Sequence, residues 1–501
     1  MGKTQSSEKK ESLEKELGVK FDLEPIFKPK SMAVVGISTK NYVNPGTTTF
    51  LKNVFEMDLG ERCYAINPRG GELEGQKIYR DIKDLPEIPD VAVIAVKPSI
   101  AVYAIEEAIF KGVKGLILIS GGFAETGSKE GIALENKIAK LCMDSNVPLI
   151  GPNCVGVYHK PYIDSIFLRS EKLVHPPRGN VAIVSQSGGI LLDQFFLAFE
   201  SRDIGVSSAV SIGNKAVINE VHLLDYYSRD KETDVISFYL EGFDPGEGRR
   251  FLECAKNTQK DIVIYQGGTT EASKAAIESH TASIATNFKV AQAAFKQYGI
   301  LQPITETEVL NYVKTYSVLA TSKRPLKLPK TLKGKVAILS VSGGHGVVCS
   351  DLLHNYDLEL VKFTEEEKQE MRSRCSPTVA DIGGYNNPID ITGAGTDADI
   401  VGVLDYLMQL DKVEIVLCIV VPYPPQISVQ VGRRIAITAR KHPEKPLVCF
   451  VPYIEKYDII RESLELFNIP LSATVSETVQ LAAAIRDKSR ALLRLKKNRK
   501  K

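Results

Sequence analysis

Short runs of β-branched and other apolar residues recur along the chain, and amphipathic stretches separate them. The early runs are SMAVVGIS (31–38), RCYAINP (62–68), VAVIAV (91–96), GLILIS (115–120) and VPLIGP (147–152). Between two of them lies SIAVYAIEEAIFKG (99–112), whose apolar positions recur at helical spacing. Continuously apolar strands alternating with helices predict a parallel sheet covered on both faces. The first unit therefore reads as a Rossmann-like domain over residues 25–155.

The same grammar restarts twice. GNVAIVSQSGGIL opens a unit at Gly179, and GKVAILSVSGGHG opens another at Gly334. Both carry G-x-V-A-I-x-S-x-S-G-G, which predicts an internal duplication of one flavodoxin-like unit. The expected fold class is α/β: a Rossmann-like domain, then two flavodoxin-like parallel-sheet domains at 173–320 and 334–490. Residues 1–24 read as a charged tail. HKPYIDSIFLRSEKLVHPPRG (159–179) and TSKRPLKLPKTLKGK (321–335) read as connectors.

Composition narrows the function classes. The 501 residues carry 63 Lys+Arg against 61 Asp+Glu, a net charge of +2. That balance gives no reason to expect nucleic acid or an anionic membrane as partner. No apolar run reaches the ~18–20 residues of a membrane span, and the N-terminus lacks the apolar core of a secretory signal. The eight cysteines form no C-x-x-C pair, and Cys418 and Cys449 sit inside apolar runs. Neither disulfides nor a metal site is expected, and a cytoplasmic location fits.

Ligands of open parallel sheets bind beyond the carboxyl ends of the strands, where small residues and helix N-termini suit phosphate. Ser187-Gly188-Gly189 is such a turn, and Ser342-Gly343-Gly344 repeats it. Each is also compatible with a tight turn that binds nothing. The first unit has no G-x-G-x-x-G and the chain has no Walker A motif, which disfavours a nicotinamide oxidoreductase. His280 lies among small residues in ESHTASIA, where an imidazole stays accessible for nucleophilic chemistry. His345, after the second glycine-rich turn, is the competing histidine.

The order VVGIS, INPRG, VAVIAVKPS, SGGFAETG, LIGPNCVG, IVSQSGG, SIGNK and SHTASIA resembles the nucleoside-diphosphate-forming acyl-CoA synthetases. The likeness is greatest to the alpha subunits of the ADP-forming acetyl-CoA synthetases and covers about residues 25–480. It implies an enzyme that interconverts short-chain acyl-CoA, ADP and phosphate with acid, CoA and ATP through acyl phosphate and phosphohistidine. It matches His280 to the phosphorylated histidine and Glu220 to the carboxylate that orients it, with Asp225 as an alternative. It matches Ser187, Gly188 and Gly189 to the phosphate-binding turn. It places CoA against Gly36, Ser38, Val96, Lys97, Pro98 and Ser120. It further implies a small organic acid substrate and a separate ATP-grasp beta subunit carrying most contacts to ADP or ATP and Mg, in an alpha2beta2 assembly. A CoA-binding regulatory protein that kept the fold and lost the relay is the alternative.

Overall fold

The computed structural model describes residues 21–273, 287–322 and 324–498. His280 lies outside the described residues. The chain divides into two compact units, Met1–Phe295 and Lys296–Lys501. The first holds two sheets and the second holds one.

Each early apolar run becomes a strand of the first sheet. Met32–Val35, Cys63–Ile66, Val91–Ile94, Gly115–Leu118 and Leu149–Ile150 are all parallel. Gln76–Tyr79 runs parallel beyond Cys63–Ile66. Counting parallel strands along the chain, the order is 3-2-1-4-5-6, that of a dinucleotide-type Rossmann sheet. The third strand arrives through an antiparallel hairpin with Gly71–Leu73 instead of through a helix. That short hairpin was not visible as apolar patterning, because only Leu73 and Ile78 of its seven residues are buried.

The helices begin where the side chains can cap them. Asn44 Oδ1 accepts from the Thr47 N–H, with Pro45 at the first helical position of Pro45–Phe55. Ser128 does the same for Lys129–Asp144 through the Gly131 N–H. Residues Glu24–Phe27 form a short helix whose Ile26 and Phe27 are fully buried, so core packing begins at the edge of the charged tail.

The second sheet has Arg178–Ser185 between Val235–Leu240 and Val206–Ser211, with Asp261–Gln266 beyond. Two antiparallel strands, Val157–His159 and Ile163–Asp164, extend it. Ile163–Asp164 falls in the segment 159–179 expected to be a plain connector, and Val157–His159 ends at its first residue. Burial of Tyr158 and Ile163 explains why it pairs instead of looping through solvent.

In the third sheet, Lys335–Ser340 lies between Glu359–Leu360 and Ile415–Ile419, followed by Leu447–Phe450 and Leu471–Ser472. Ile389–Asp390 pairs with its carboxyl end. With Ile389–Asp390 set aside, the first four parallel strands of the second and third sheets share the neighbour order 2-1-3-4. The shared motif also builds the same turn twice. Ser185 Oγ donates to Ser187 O and accepts from Ser187 N–H. Ser340 Oγ does both with Ser342.

The helix Glu306–Thr321 packs on Val475–Asn498 within the second unit. Asn311 Nδ2 donates to Gln480 Oε1 at 2.6 Å, and the Tyr312 and Tyr316 hydroxyls reach Asp487 and the Ala484 carbonyl. The Lys-rich segment after it is tied down as well. Glu414 accepts from the N–H groups of Lys330, Thr331 and Lys335. All eight cysteines are free thiols. No helix among the described residues is long and apolar enough to cross a membrane.

Candidate functional site

A cavity of about 470 Å³ lies in the first unit, at the carboxyl ends of strands from both its sheets. The first sheet supplies Ala95, Ile119, Ser120, Gly121, Asn153 and Cys154. The second supplies Gln186, Ser187, Gly188 and Gly189, and Asn214 enters from the following loop.

The first-sheet edge is built for close backbone approach. Gly36 has φ +101°, and a Cβ there would collide with the Ala95 carbonyl. A Cβ on Gly46 would lie 2.8 Å from the Gly36 carbonyl. Ser38 is fixed by Thr47, whose Oγ1 accepts from the Ser38 N–H at 2.7 Å and donates to its carbonyl at 3.0 Å. Val96 follows the strand Val91–Ile94, Lys97 precedes Pro98–Lys111 without a side-chain capping bond, and Pro98 takes the helix's first position. The Lys97 side chain is exposed and makes no hydrogen bond or ion pair among the described residues. Ser120 lines the cavity and its carbonyl accepts from the Asn153 N–H at 2.9 Å. The six residues matched to CoA therefore sit on neighbouring strand ends.

The second-sheet turn is equally specific. Ser187 caps the helix that starts at Gly188, accepting from the Ile190 N–H at 3.4 Å. The N–H groups of Gly188 and Gly189 have no protein acceptor among the described residues. They lie in a first helical turn, where the positive end of the dipole favours an anion. A Cβ on Gly188 would collide with Val155 Cγ1, so the turn packs directly on the G-P-N-C-V segment. Gln186 anchors the other side: its Nε2 donates to the Gly242 carbonyl, and its Oε1 accepts from the N–H groups of Glu241 and Gly242.

Glu220 is fully buried at the first position of Glu220–Arg229. Its partner is Lys215, whose Nζ lies 3.2 and 3.4 Å from its two oxygens. Lys215 also faces Asp244 at 3.5 Å, Glu247 at 3.4 Å and the Gly242 carbonyl. Burial pushes the Glu220 carboxyl up to about 7, Lys215 opposes this, and Glu247 adds to it. Burial also works against the Lys215 ammonium, but the three carboxylates outweigh it and hold its pKa above the ordinary lysine value. Asp225, the alternative, is instead paired with Arg229.

Several residues here were not assigned from sequence. Asn214 Nδ2 donates to Glu125 Oε2 at 2.6 Å and to Glu135 Oε2 at 2.8 Å. Asn153 Nδ2 donates to Asn214 Oδ1 at 3.2 Å. Glu125, Asn153 and Asn214 lie in SGGFAETG, GPNC and GNK, so these motifs were visible while the contacts between them were not; Glu135 lies in none of them. Burial pushes the Glu135 carboxyl up, with Glu125 beside it. Burial also acts against ionisation of Glu125, but its hydrogen bonds from Asn214 and the Gly122 and Phe123 N–H groups prevail and hold its pKa down.

His345 stands in the second unit, its Nδ1 2.9 Å from Ser342 Oγ. A second cavity of about 550 Å³ lies in that unit, at the amino ends of Ile415–Ile419 and Leu447–Phe450. There Lys445 donates to the Leu410 and Val413 carbonyls, beyond the end of Asp397–Gln409. Lys445 thus ties down the loop between Asp397–Gln409 and Ile415–Ile419.

The fold and cavity define an α/β protein in which a Rossmann-type sheet and a second, mainly parallel sheet line one space at their strand ends. Residues 30–160 match the family described as "CoA binding domain", and residues 178–316 match "Succinyl-CoA ligase like flavodoxin domain". The alpha subunit of acetate–CoA ligase (ADP-forming) I from Pyrococcus furiosus is 34% identical over 384 residues, covering 74% of this chain and 77% of that subunit. The ADP-forming acetate–CoA ligase of Methanocaldococcus jannaschii is 34% identical over 383 residues, which is 76% of this chain. The chain spans about half the length of that ligase, 50%. Among solved structures, apo acetyl-coenzyme A synthetase 1 of Candidatus Korarchaeum cryptofilum, described as dinucleotide forming, gives a TM-score of 0.82 at 28% identity. The match covers 95% of this chain and 99% of that one. The same synthetase in complex with phosphate and ADP gives 0.81. The chain belongs to the family of ADP-forming acetate–CoA ligases.

Proposed function

We propose that the chain is the alpha subunit of an ADP-forming acyl-CoA synthetase. In the direction of ATP formation, phosphate attacks the thioester carbonyl, and CoA leaves as the thiol. A nitrogen of His280 then attacks phosphorus of the acyl phosphate, and the carboxylate of a small organic acid leaves. The phosphohistidine finally passes its phosphoryl group to ADP. An ATP-grasp beta subunit would carry the nucleotide and its Mg, in an alpha2beta2 assembly. Residues 25–155 hold CoA, 173–320 carry the phosphohistidine, and 334–490 form the second flavodoxin-like domain.

The observation that supports this reading most strongly is the shared cavity. Ser120 of the CoA-type edge and Ser187, Gly188 and Gly189 of the phosphate-type turn line one space of about 470 Å³. The donor set fits the chemistry. Phosphoryl transfer asks chiefly for positioning and charge stabilisation, which unpaired N–H groups at a helix start supply. Gly36 and Gly46 let neighbouring backbone segments of the first sheet pack against one another, which fixes the strand ends beside this space. Lys97, exposed at the same edge, is placed to meet a phosphate of the coenzyme as a point charge. Glu220 would hold one ring nitrogen of His280, leaving the other to attack.

The test is incubation of the full chain with acetyl-CoA and phosphate, reading release of CoA thiol and acid-labile phosphate on the protein. Both are expected. CoA binding without either product would favour a regulatory CoA-binding protein.

A further inference from the structure

The carboxamide of Asn153 is oriented by a chain of hydrogen bonds that begins two loops away. Glu125 is held by the N–H groups of Gly122 and Phe123, and Glu135 by the N–H of Ala124. Both carboxylates accept from Asn214 Nδ2. A primary amide nitrogen has two protons, so both are committed and Asn214 presents only its oxygen onward. That oxygen accepts from Asn153 Nδ2 at 3.2 Å. The amide of Asn153 therefore points its nitrogen at Asn214, and its own oxygen faces elsewhere.

Asn153 Oδ1 accepts no hydrogen bond among the described residues. It lies over Gly121, where a Cβ would come within 3.1 Å of it, and Asn153 and Gly121 both line the cavity. The backbone of Asn153 has φ +58°, a conformation that asparagine tolerates better than most residues. An acceptor whose direction is set by three side chains and which has no protein donor is poised for a donor on a ligand.

The geometry points to Asn153 Oδ1 as the acceptor for the amide N–H of the coenzyme's pantetheine arm nearest the sulfur. This assignment rests on the CoA reading above. Its position supports that end of the molecule. Asn153 shares the cavity with Ser120 on the coenzyme side and with Ser187–Gly189 on the phosphate side, and the reacting carbonyl must lie between them. The amide N–H is present in both CoA and acyl-CoA, whereas the thiol proton is a weak donor and is absent from the thioester. Asn214, Glu125 and Glu135 then act as positioning residues: Glu125 and Glu135 Oε2 bond to Asn214 and to backbone N–H groups, and Asn214 bonds onward to Asn153.

Two titrations of the full chain test this. Asn153→Gly suits the backbone conformation and removes the acceptor. It should weaken CoA by about three- to tenfold, the range of one neutral hydrogen bond. It should leave adenosine 3′-phosphate 5′-diphosphate, the coenzyme without its pantetheine arm, bound as before. In the wild-type protein, a CoA analogue with an ester in place of that amide should lose the same factor, and Asn153→Gly should not distinguish the two ligands. Equal binding of ester and amide by the wild type would overturn the assignment, whether or not the variant folds. So would equal loss of both ligands in the variant. Failure of the wild type to bind either CoA or its nucleotide fragment would instead remove the CoA reading on which the assignment stands.

Discussion

Lys215 Nζ lies 3.2 Å from Glu220 Oε1, and both side chains are almost wholly buried. Lys215 adopts a left-handed backbone conformation, φ +50°, after Gly213 and Asn214 dock on the Gly151–Asn153 segment. The loop that carries the lysine is thus fixed from the first sheet, while the carboxylate sits on the second. Removing the lysine leaves the buried Glu220 beside Glu247 without its cation. Lys215→Met should lower stability by about 3–5 kcal/mol, as for other broken buried pairs. Adding Glu220→Gln should restore much of the loss, which a denaturant-midpoint cycle over the four proteins would read. Simple additivity of the two losses would show that the pair is not coupled.

The pH dependence of stability has two opposed contributions. Glu220 is raised from 4.5 to about 7 in the folded chain, so the native state binds its proton more tightly. Its contribution is present below 4.5 and is lost as pH rises through about 7. His222 is lowered from 6.5 to about 4 by burial and by Arg250. Its contribution is present above 6.5 and is lost as pH falls toward 4. Between pH 4.5 and 6.5 the two slopes oppose each other. Glu220→Gln should therefore make stability rise more steeply with pH across that window, measured by urea midpoints. An unchanged or flatter slope would contradict the assigned Glu220 shift.

Gly188 has a packing role separate from its free N–H group. Gly188→Ala places a methyl against Val155 Cγ1 and should cost about 1–3 kcal/mol. It should also reduce phosphate incorporation, because the first turn must shift. Val155→Ala in the same chain should recover part of the thermal stability. No recovery would mean that the clash is not the cause.

The fold was legible where periodicity and repetition coincide. The S-x-S-G-G openings at Ser185 and Ser340 end the first parallel strand of their sheets, with the same serine-to-backbone bonds. The strand at Val157–His159 was hidden because it pairs antiparallel with Val206–Ser211, beside residues that read as connector. The site was legible as motifs but not as a network. Asn214 and Glu125 are 89 positions apart, and no local pattern joins them. Lys215 was visible in G-N-K, yet its role needs Glu220, Asp244 and Glu247 brought together by burial.

Lys97 is exposed, so changing it tests binding without disturbing the core. Lys97→Glu should weaken CoA severalfold, with the difference shrinking as salt is raised. Phosphorylation of the chain by acyl phosphate should be unaffected. Parallel loss of both would show that the lysine does not act on CoA alone.

The central claim is that His280 carries the phosphoryl group between acyl phosphate and nucleotide. Its most direct test is labelling of the full chain with radioactive acetyl phosphate, followed by acid and base treatment and peptide mapping. The account predicts one base-stable, acid-labile phosphate on His280 in the wild type and none in His280→Ala. Label on His345, or undiminished label in His280→Ala, would contradict it.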